Sequence, residues 1–568
     1  MDAAPGAGPR RARGGRGAPP PEPGPAGSRT PGVGLLQQPT WGFQTCLITA
    51  EQEPKQPGQL VYPTDFRLTD KEKSSICYLS FPDSHSGGLG DTQFSFRIRQ
   101  SGGQREPWHA EDRLYNQAAP EALQREAAHY FGYVYFRQVK DSSVKRGYFQ
   151  KSLVLVSRLP FVRLFQALLT LIAPEYFDKL APCLEAVCSE IDQWPAPAPG
   201  QTLNLPVMGV VVQVRVPSRA DIPESSPPKP CGREKLLPAP VVLASVHELD
   251  LFRCFQPVLM HVQMLWELVL LGEPLVVLAP SPAVSSEMVL ALTSLLRPLR
   301  FCSDYRPYFT VHDSEFKELT TRTRAPPKVV LGVTNPFFTK MLQHWPHILR
   351  VGEPRMSGGL PKQVKLKKPS RLKTLDTKPG LYTSYAAHLH RDKALLKRLL
   401  KGVQKQRPSD VQSAVLRRHL LELTQNPQPL SQTPPQIRPF RQDDFLRSLE
   451  HAGPQLTCFL KGDWLGLYRR FFKSPHFDGW YRQRHQEMAQ KLEAVHLEAI
   501  CEADIEAWMK DKSEVEVVDL VLKLREKLVR AQGHRLPVKA ETLQRAQLYI
   551  EMAIGALPKD LQAVLCPP

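Results

Sequence analysis

The 568-residue chain has no run of roughly 18 or more apolar residues, so no segment is long and apolar enough to read as a membrane-crossing helix. Its ten cysteines are scattered singly. None forms Cys-x-x-Cys, and Cys183 and Cys188 stand on an expected helix at a spacing that suits neither a zinc clip nor a disulfide framework. The start, MDAAPGAGPRRARGG, has arginines but no apolar stretch of the kind a secretory signal needs. Reduced thiols and a cytosolic compartment are therefore expected. Phosphate-binding and hydrolytic signatures are absent too: there is no GxxxxGK[ST], HExxH, GxSxG or protein-kinase set. GGLGD at 87–91 reads as a turn. HLHRD at 388–392 lacks the downstream Asn of a kinase loop and reads as a helix start. The histidines lack the neighbours that would complete a metal-ligand set, so neither a metal nor any other cofactor is expected.

What is present is a globular composition with an uneven charge. Apolar residues make up 42% of the chain and the net charge is +18. Residues 361–418 hold sixteen Lys and Arg against Asp376, Asp392 and Asp410, a net of +13. Such a block can meet nucleic acid, an acidic membrane leaflet or an acidic partner. Residues 1–38, rich in Pro, Gly, Ala and Arg, cannot bury enough apolar surface to offset ordering and are expected to be disordered. The remaining length allows two to four domains at ~150 residues each.

Periodicity places the elements. Thr69 before DKEK is a helix N-cap with acids in the first turn. Ile76–Phe81 is β-prone, and Phe81-Pro82-Asp83 should end that strand, because Pro82 cannot extend a ladder. FSFRIR at 94–99 alternates Phe94, Phe96 and Ile98 with Ser95, Arg97 and Arg99. HYFGYVYFRQV and KSLVLVSRLP are further strands. Leu164, Leu168, Leu169 and Ile172 mark a helix, and a second covers roughly 173–191. MGVVVQVRVP at 208–217 is a strand between Pro-rich loops. MHVQMLWELVLLG is a helix ending at Gly272. EPLVVLAP and KVVLGVT are continuous apolar strands, each feeding a helix opened by Ser281-Pro282 or Asn335-Pro336. Two such units predict a partly parallel sheet covered on both faces. From residue 385 onward the pattern is helical.

The basic block divides into KLKKPSRLK, which is loop-like, and RDKALLKRLLKGVQKQR at 391–407, a helix with leucines on one side. Lys365, Lys367, Lys368, Arg371, Lys397, Arg398 and Lys401 are the candidates for contact with anionic lipid or an acidic partner. A solvated face of a packed helix explains the same residues. Nucleic acid is not the expected partner, since the block lacks interleaved aromatics and a base-reading module.

Several motifs occur in one order: Tyr62-Pro63, Phe81-Pro82-Asp83, the Phe94/Phe96/Arg97 strand, LWELVLLGEPLVVLAPSP, RPLRFCSDYRPYFTVHD and PPKVVLGVTNPFF. Over residues 59–480 the chain resembles the DENN family, and FRLTDKEKSSICYLSFPDS and LKKPSRLKTLDTKPGLYT are similar to its sixth branch, B type. The resemblance implies an α/β-plus-α tripartite fold. A disordered tail (1–38) would precede a longin-like upstream module (39–195), an α/β core (196–384), a downstream helical module (385–480) and C-terminal helices (481–568). It implies guanine-nucleotide exchange on a Rab-family GTPase in endosomal vesicle traffic and recycling, without covalent chemistry. The GTPase would sit in the groove between the longin-like and core modules, at contact residues the sequence does not name. A non-catalytic Rab- or membrane-binding adaptor is the alternative. Recruitment from cytoplasm to endosomes would follow.

Two departures from the family pattern resemble an alternative splice form or a gene-model error. TWGFQTCLITAEQEPKQPGQL replaces the usual apolar strand and acidic-glycine hairpin. Residues 41–49 can make a strand, but completion of the sheet is left open. After LLELTQ at 420–425, Pro-rich NPQPLSQTPPQ stands where the family continues with an apolar helix. Loss of that helix near 426 would leave an apolar face exposed.

Overall fold

The computed structural model describes residues 45–51, 59–62, 68–83, 90–101, 110–143, 147–219, 221, 241–243, 246, 249–321, 325–352, 365–367, 379–425, 440–453, 460–534, 536 and 538–565. The segment 1–38 and the site of the expected missing helix after Gln425 lie outside these residues, as do Lys368 and Arg371.

An antiparallel sheet comes first. Its strands are β1 (Thr45–Glu51), β2 (Gln59–Tyr62), β3 (Gly90–Arg99), β4 (His129–Lys140) and β5 (Tyr148–Ser157), in the order β2-β1-β5-β4-β3. β1 pairs with β2 and, along its whole length, with β5. The sheet is therefore complete despite the altered start of the chain. Side chains alternate across it, and both faces are covered. Phe131, Tyr133, Leu153 and Leu155 meet the helices α3 (Val162–Lys179) and α4 (Ala181–Asp192). Phe94, Phe96, Val134 and Val154 join Ile76 and Leu79 of α1 (Asp70–Leu79). Between these, α2 (Ala110–Ala118) precedes β4. The second predicted helix begins at 181 rather than near 173, after a break at Leu180, which has φ 58°.

Helix α1 corrects the expectation of a strand over Ile76–Phe81. Thr69 and Glu72 form a capping box: Glu72 N donates to Thr69 Oγ1 at 3.3 Å, and Thr69 N donates to Glu72 Oε2 at 2.8 Å. The buried residues Glu72, Ser75, Ile76 and Leu79 fall on one helical face. A cap that satisfies two N-terminal donors, together with that spacing, outweighs the β preference of Ile-Cys-Tyr, a weak prior that packing overrides.

A small sheet follows, of β6 (Thr202–Val207), β7 (Val210–Arg215) and β8 (Val241–Leu243). Its Leu203, Leu205, Val212 and Val214 share one core with α3 and α4.

The central sheet has the order β10-β11-β9-β12-β14-β13. Its strands are β9 (Leu275–Leu278), β10 (Asp304–Arg306), β11 (Val329–Val333), β12 (His347–Arg350), β13 (Lys365–Lys367) and β14 (Gly380–Thr383). β10, β11, β9 and β12 run parallel, while β14 is antiparallel to β12. The sheet is partly parallel, as the two strand–helix units predict. Residues 365–367, expected to be loop-like, form its edge strand beside β14. Leu275, Val277 and Val330 face α5 (Leu251–Phe255), α6 (Val262–Leu270) and α7 (Pro282–Ser294). Val276, Leu331 and Ile348 face the side of α8 (Phe316–Thr320) and α9 (Phe337–Met341), with Leu319 and Phe338. Ser281 caps α7, with Pro282 in its first turn.

The helical part comprises α10 (Lys393–Gln404), α11 (Ser409–Gln425), α12 (Gln442–Ala452), α13 (Trp464–Phe471) and the long α14 (Pro475–Glu502). Their apolar faces join the central core. Leu416, Leu420 and Leu423 of α11 are buried, and Thr424 Oγ1 accepts from Trp266 Nε1 at 3.0 Å. Finally α15 (Ile505–Lys510), α16 (Glu514–His534), α17 (Ala540–Gly555) and α18 (Lys559–Leu565) pack with the far end of α14 around their own core. No helix among the described residues is long and apolar enough to cross a membrane.

Candidate functional site

Four of the sequence motifs meet at one seam. β3 is the edge of the first sheet and β10 the edge of the central one; β3 packs against β10 and α7. Phe81-Pro82-Asp83, just past α1, reaches across to Tyr308 of the Pro-Tyr-Phe segment. Asp83 N donates to Tyr308 Oη at 2.6 Å, and Tyr308 Oη donates to Phe81 O at 3.1 Å. The Tyr308 ring meets Phe94 edge-on at 5.3 Å. Asn335 of Gly-Val-Thr-Asn-Pro bonds the Asp83 carboxyl by its side chain, and its Oδ1 accepts from Phe337 N at 3.0 Å. Burial pushes the Asp83 carboxyl above its ordinary value, against the opposing pull of Asn335 and His312. Gly332 permits the close approach here: a Cβ at that position would overlap Pro307 O and Ser285 Oγ. Phe81-Pro82-Asp83 thus docks the end of α1 onto the segment that follows β10.

Deeper in the seam lies a charged cluster. Arg97 points away from its apolar neighbours on β3 and is buried. Its guanidinium donates to Asp304 Oδ1 at 2.6 Å and to Glu126 Oε2 at 2.6 Å, and it lies 4.3 Å from the Tyr305 ring centre. His129 Nδ1 is 3.3 Å from Glu126. Arg306 pairs with Asp304 at 2.7 Å and with Glu315, which also meets Arg99 at 3.0 Å. Burial works against the Glu126 charge, but Arg97 and His129 prevail and hold its carboxyl at about 2. Asp304 is likewise lowered, with Arg306 and Arg97 overcoming burial. Each carboxylate and guanidinium of the cluster has an opposite partner, so the cluster acts as a fixed joint.

Two aromatic side chains remain in solvent at this seam. Tyr78 of α1 is 53% exposed and stacks on His312 of the core at 4.7 Å. Phe337, at the start of α9 beside Asn335, is 48% exposed. The contacts run from Tyr78 through His312, Asp83 and Asn335 to Phe337, crossing from the layer of the first sheet to that of the central sheet. The pattern of Phe-Pro-Asp and Asn-Pro was legible in the sequence, but the exposure of Tyr78 and Phe337 had no signal there.

The other sequence candidates lie elsewhere. Lys397, Arg398 and Lys401 are exposed on α10 beside Lys393 and Lys405, while Leu396 and Leu399 are buried beneath. Asp392 caps the helix by accepting from Ala394 N and Leu395 N at 2.9 Å. Lys367 is not part of that face: its Nζ donates to Tyr382 Oη at 3.0 Å and lies over that ring. Lys365 opens β13. Glu267 of α6, fully buried, accepts from Tyr385 Oη, His388 N and Leu389 N at 2.8–2.9 Å and anchors the segment leading to α10. Among the described residues no group of three or more His, Cys, Asp and Glu could hold a metal ion.

Comparison with known proteins agrees with the motifs. The DENN (AEX-3) domain matches residues 148–347, and the DENND6 C-terminal domain matches residues 505–568, where α15–α18 lie. Protein DENND6B of Homo sapiens is 80% identical over 585 residues, covering all of both chains. That span exceeds the 568 residues present here, so the human protein carries residues that this chain lacks. Protein DENND6A of Gallus gallus is 55% identical over 92% of this chain and 93% of its own. The Dictyostelium discoideum DENND6 homolog is 29% identical over 86% and 77%. The order of motifs, the mixed α/β architecture with its helical C-terminal part, and full-length identity to B-type relatives place this chain in the DENND6 branch of the DENN family.

Proposed function

We propose that this chain is a guanine-nucleotide exchange factor for a Rab-family GTPase, acting in the cytoplasm and on endosomal membranes. The tripartite division at residues 39–195, 196–384 and 385–480, with C-terminal helices beyond, belongs to the same reading. The observation that carries it is the exposed Tyr78–His312–Phe337 surface over the seam. Exposed aromatics on a rigid base are typical anchors of protein interfaces, and the buried Arg97 cluster supplies the rigidity.

Exchange needs no covalent step. The factor must bind the nucleotide-free GTPase more tightly than the GDP-bound form, so that its binding energy offsets the loss of phosphate and Mg²⁺ contacts. A surface shared by two locked modules suits this task, because it can hold two segments of a partner apart without itself deforming. The basic face of α10 would orient the protein on an anionic leaflet.

The test is release of fluorescent GDP from a panel of purified Rab proteins. The chain should accelerate release from at least one, and Tyr78→Ala with Phe337→Ala should reduce that rate about tenfold or more with unchanged thermal stability. Tighter binding to a GTP-loaded Rab than to the nucleotide-free form, without acceleration, would replace exchange by an adaptor role.

A further inference from the structure

A cavity of about 330 Å³ opens at the end of the central sheet where β9, β11 and β12 begin. Its wall includes residues that directly precede the parallel strands: Pro274 before β9, Lys328 before β11 and Pro346 before β12. Arg470 and Lys473, from α13 and the turn after it, close the other side. Glu273 is the single carboxylate in the lining, and it is already engaged: Arg470 Nη2 donates to its Oε1 at 2.6 Å, and His347 Nε2 lies 3.7 Å from Oε2. Lys328 and Lys473 have no ion-pair partner among the described residues. The lining therefore carries three cations against one anion, a surplus of two positive charges. Pro274, Pro326 and Pro346 bring no N–H donors, and the charged donors of the lining are the Lys328, Arg470 and Lys473 side chains.

We infer that this cavity binds a phosphomonoester. A dianion matches the surplus charge, and the exposed Lys328, Arg470 and Lys473 side chains of the lining supply the charge-assisted donors that phosphate oxygens require. The volume exceeds that of a bare oxyanion and sits at the low end of small-molecule sites. It leaves room for a small organic group against Leu271, Pro274 and Pro346. Because the cations come from the sheet and from α13, the ligand ties the helical part to the core. Gly272 fixes that junction: it has φ 65°, and a Cβ there would stand 2.8 Å from Pro475 Cδ. This gives Leu-Gly-Glu-Pro a ligand-binding role besides ending α6.

The probes are glycerol 3-phosphate and inorganic phosphate, titrated calorimetrically into the full-length chain in phosphate-free buffer. Saturable binding at one site is expected. Lys328→Gln with Lys473→Gln should weaken it by about a hundredfold, roughly tenfold for each charge-assisted contact, while Lys328→Arg should retain it. Lys510→Gln with Lys559→Gln, on exposed residues of the C-terminal helices, should leave it unchanged. Sedimentation with phosphatidylcholine vesicles, with and without phosphatidate, identifies the source. Lys328/Lys473-dependent sedimentation with phosphatidate marks a lipid headgroup, and soluble binding alone marks a free phosphomonoester. No saturable binding by the wild-type chain, or equal loss in the Lys510/Lys559 pair, would overturn the inference.

Discussion

Replacing Arg97 by Met isolates the electrostatic part of the seam. Met keeps much of the apolar stem and removes the guanidinium. Glu126 and Asp304 then lose a partner at 2.6 Å each. Arg97 is buried, with 7% of its side chain accessible, so water does not replace it well. Removing one partner from a buried ion cluster costs about 3–5 kcal/mol. At roughly 2–4 °C per kcal/mol for a domain of 150–250 residues, the transition measured by scanning calorimetry should fall by roughly 6–20 °C. Arg137 is the internal control. It pairs with Asp91 across β3 and β4 at 2.8 Å, but both side chains are about a quarter to a third exposed. Arg137→Met should therefore cost no more than about 1 kcal/mol.

The pH dependence separates charge from packing. In the wild-type chain the Glu126 carboxyl is held at about 2, below its ordinary value of 4.5. Its contribution is present in full above the ordinary value and is lost as pH falls through that range toward 2. Without Arg97, burial dominates and raises the same carboxyl. The variant then gains stability on protonation as pH falls toward 4, and its deficit against wild type should narrow between pH 7 and pH 4. His129 acts in the same direction, since burial and Arg97 both disfavour its charge. Equal losses for Arg97→Met and Arg137→Met, or a deficit that does not change with pH, would refute the electrostatic account.

Tyr308→Phe removes one hydroxyl that both accepts from Asp83 N and donates to Phe81 O; amide exchange at Asp83 should accelerate about tenfold or more, since a buried donor left without a partner costs about 1–3 kcal/mol. Unchanged protection would mean that Phe81-Pro82-Asp83 is held by packing alone. Lys397→Glu, Arg398→Glu and Lys401→Glu together should weaken sedimentation with anionic vesicles by about a hundredfold, at about 1 kcal/mol per basic residue, with no change in thermal transition. Undiminished sedimentation would remove α10 from the membrane-facing surface.

The central fold was legible because its signals are redundant. Continuous apolar strands, Ser281-Pro282 and Asn335-Pro336 all point to parallel strand–helix units, and the sheet has them. HLHRD at 388–392 reads as a helix start, and α10 begins just after it, capped by Asp392. The region around Ile76 misled because two local signals compete there: β-prone side chains against the Thr69/Glu72 capping box. The box satisfies backbone donors that would otherwise lack partners, and the helix results. Lys367 shows a different limit. Nothing local says that its ammonium will lie over Tyr382, fifteen residues away in sequence.

The seam explains why the proposed interaction surface was the least legible part. Its members are separated by more than two hundred residues: Asp83 and Tyr308 differ by 225 positions, and Arg97 and Asp304 by 207. Each fragment has a local reading that suffices on its own. Phe-Pro-Asp stops an element, Asn-Pro opens a helix, and Arg97 sits on the expected polar side of an alternating strand. What converts them into a joint is that β3 and β10 are both sheet edges and cover one another, which hides edges that would otherwise be open to pairing. Arg97 is buried for this reason, although alternation alone would put it in water. Tyr78 and Phe337 become a surface only because the segments behind them are fixed. A pattern search finds the pieces that stop or start elements, while the site arises from which edges meet.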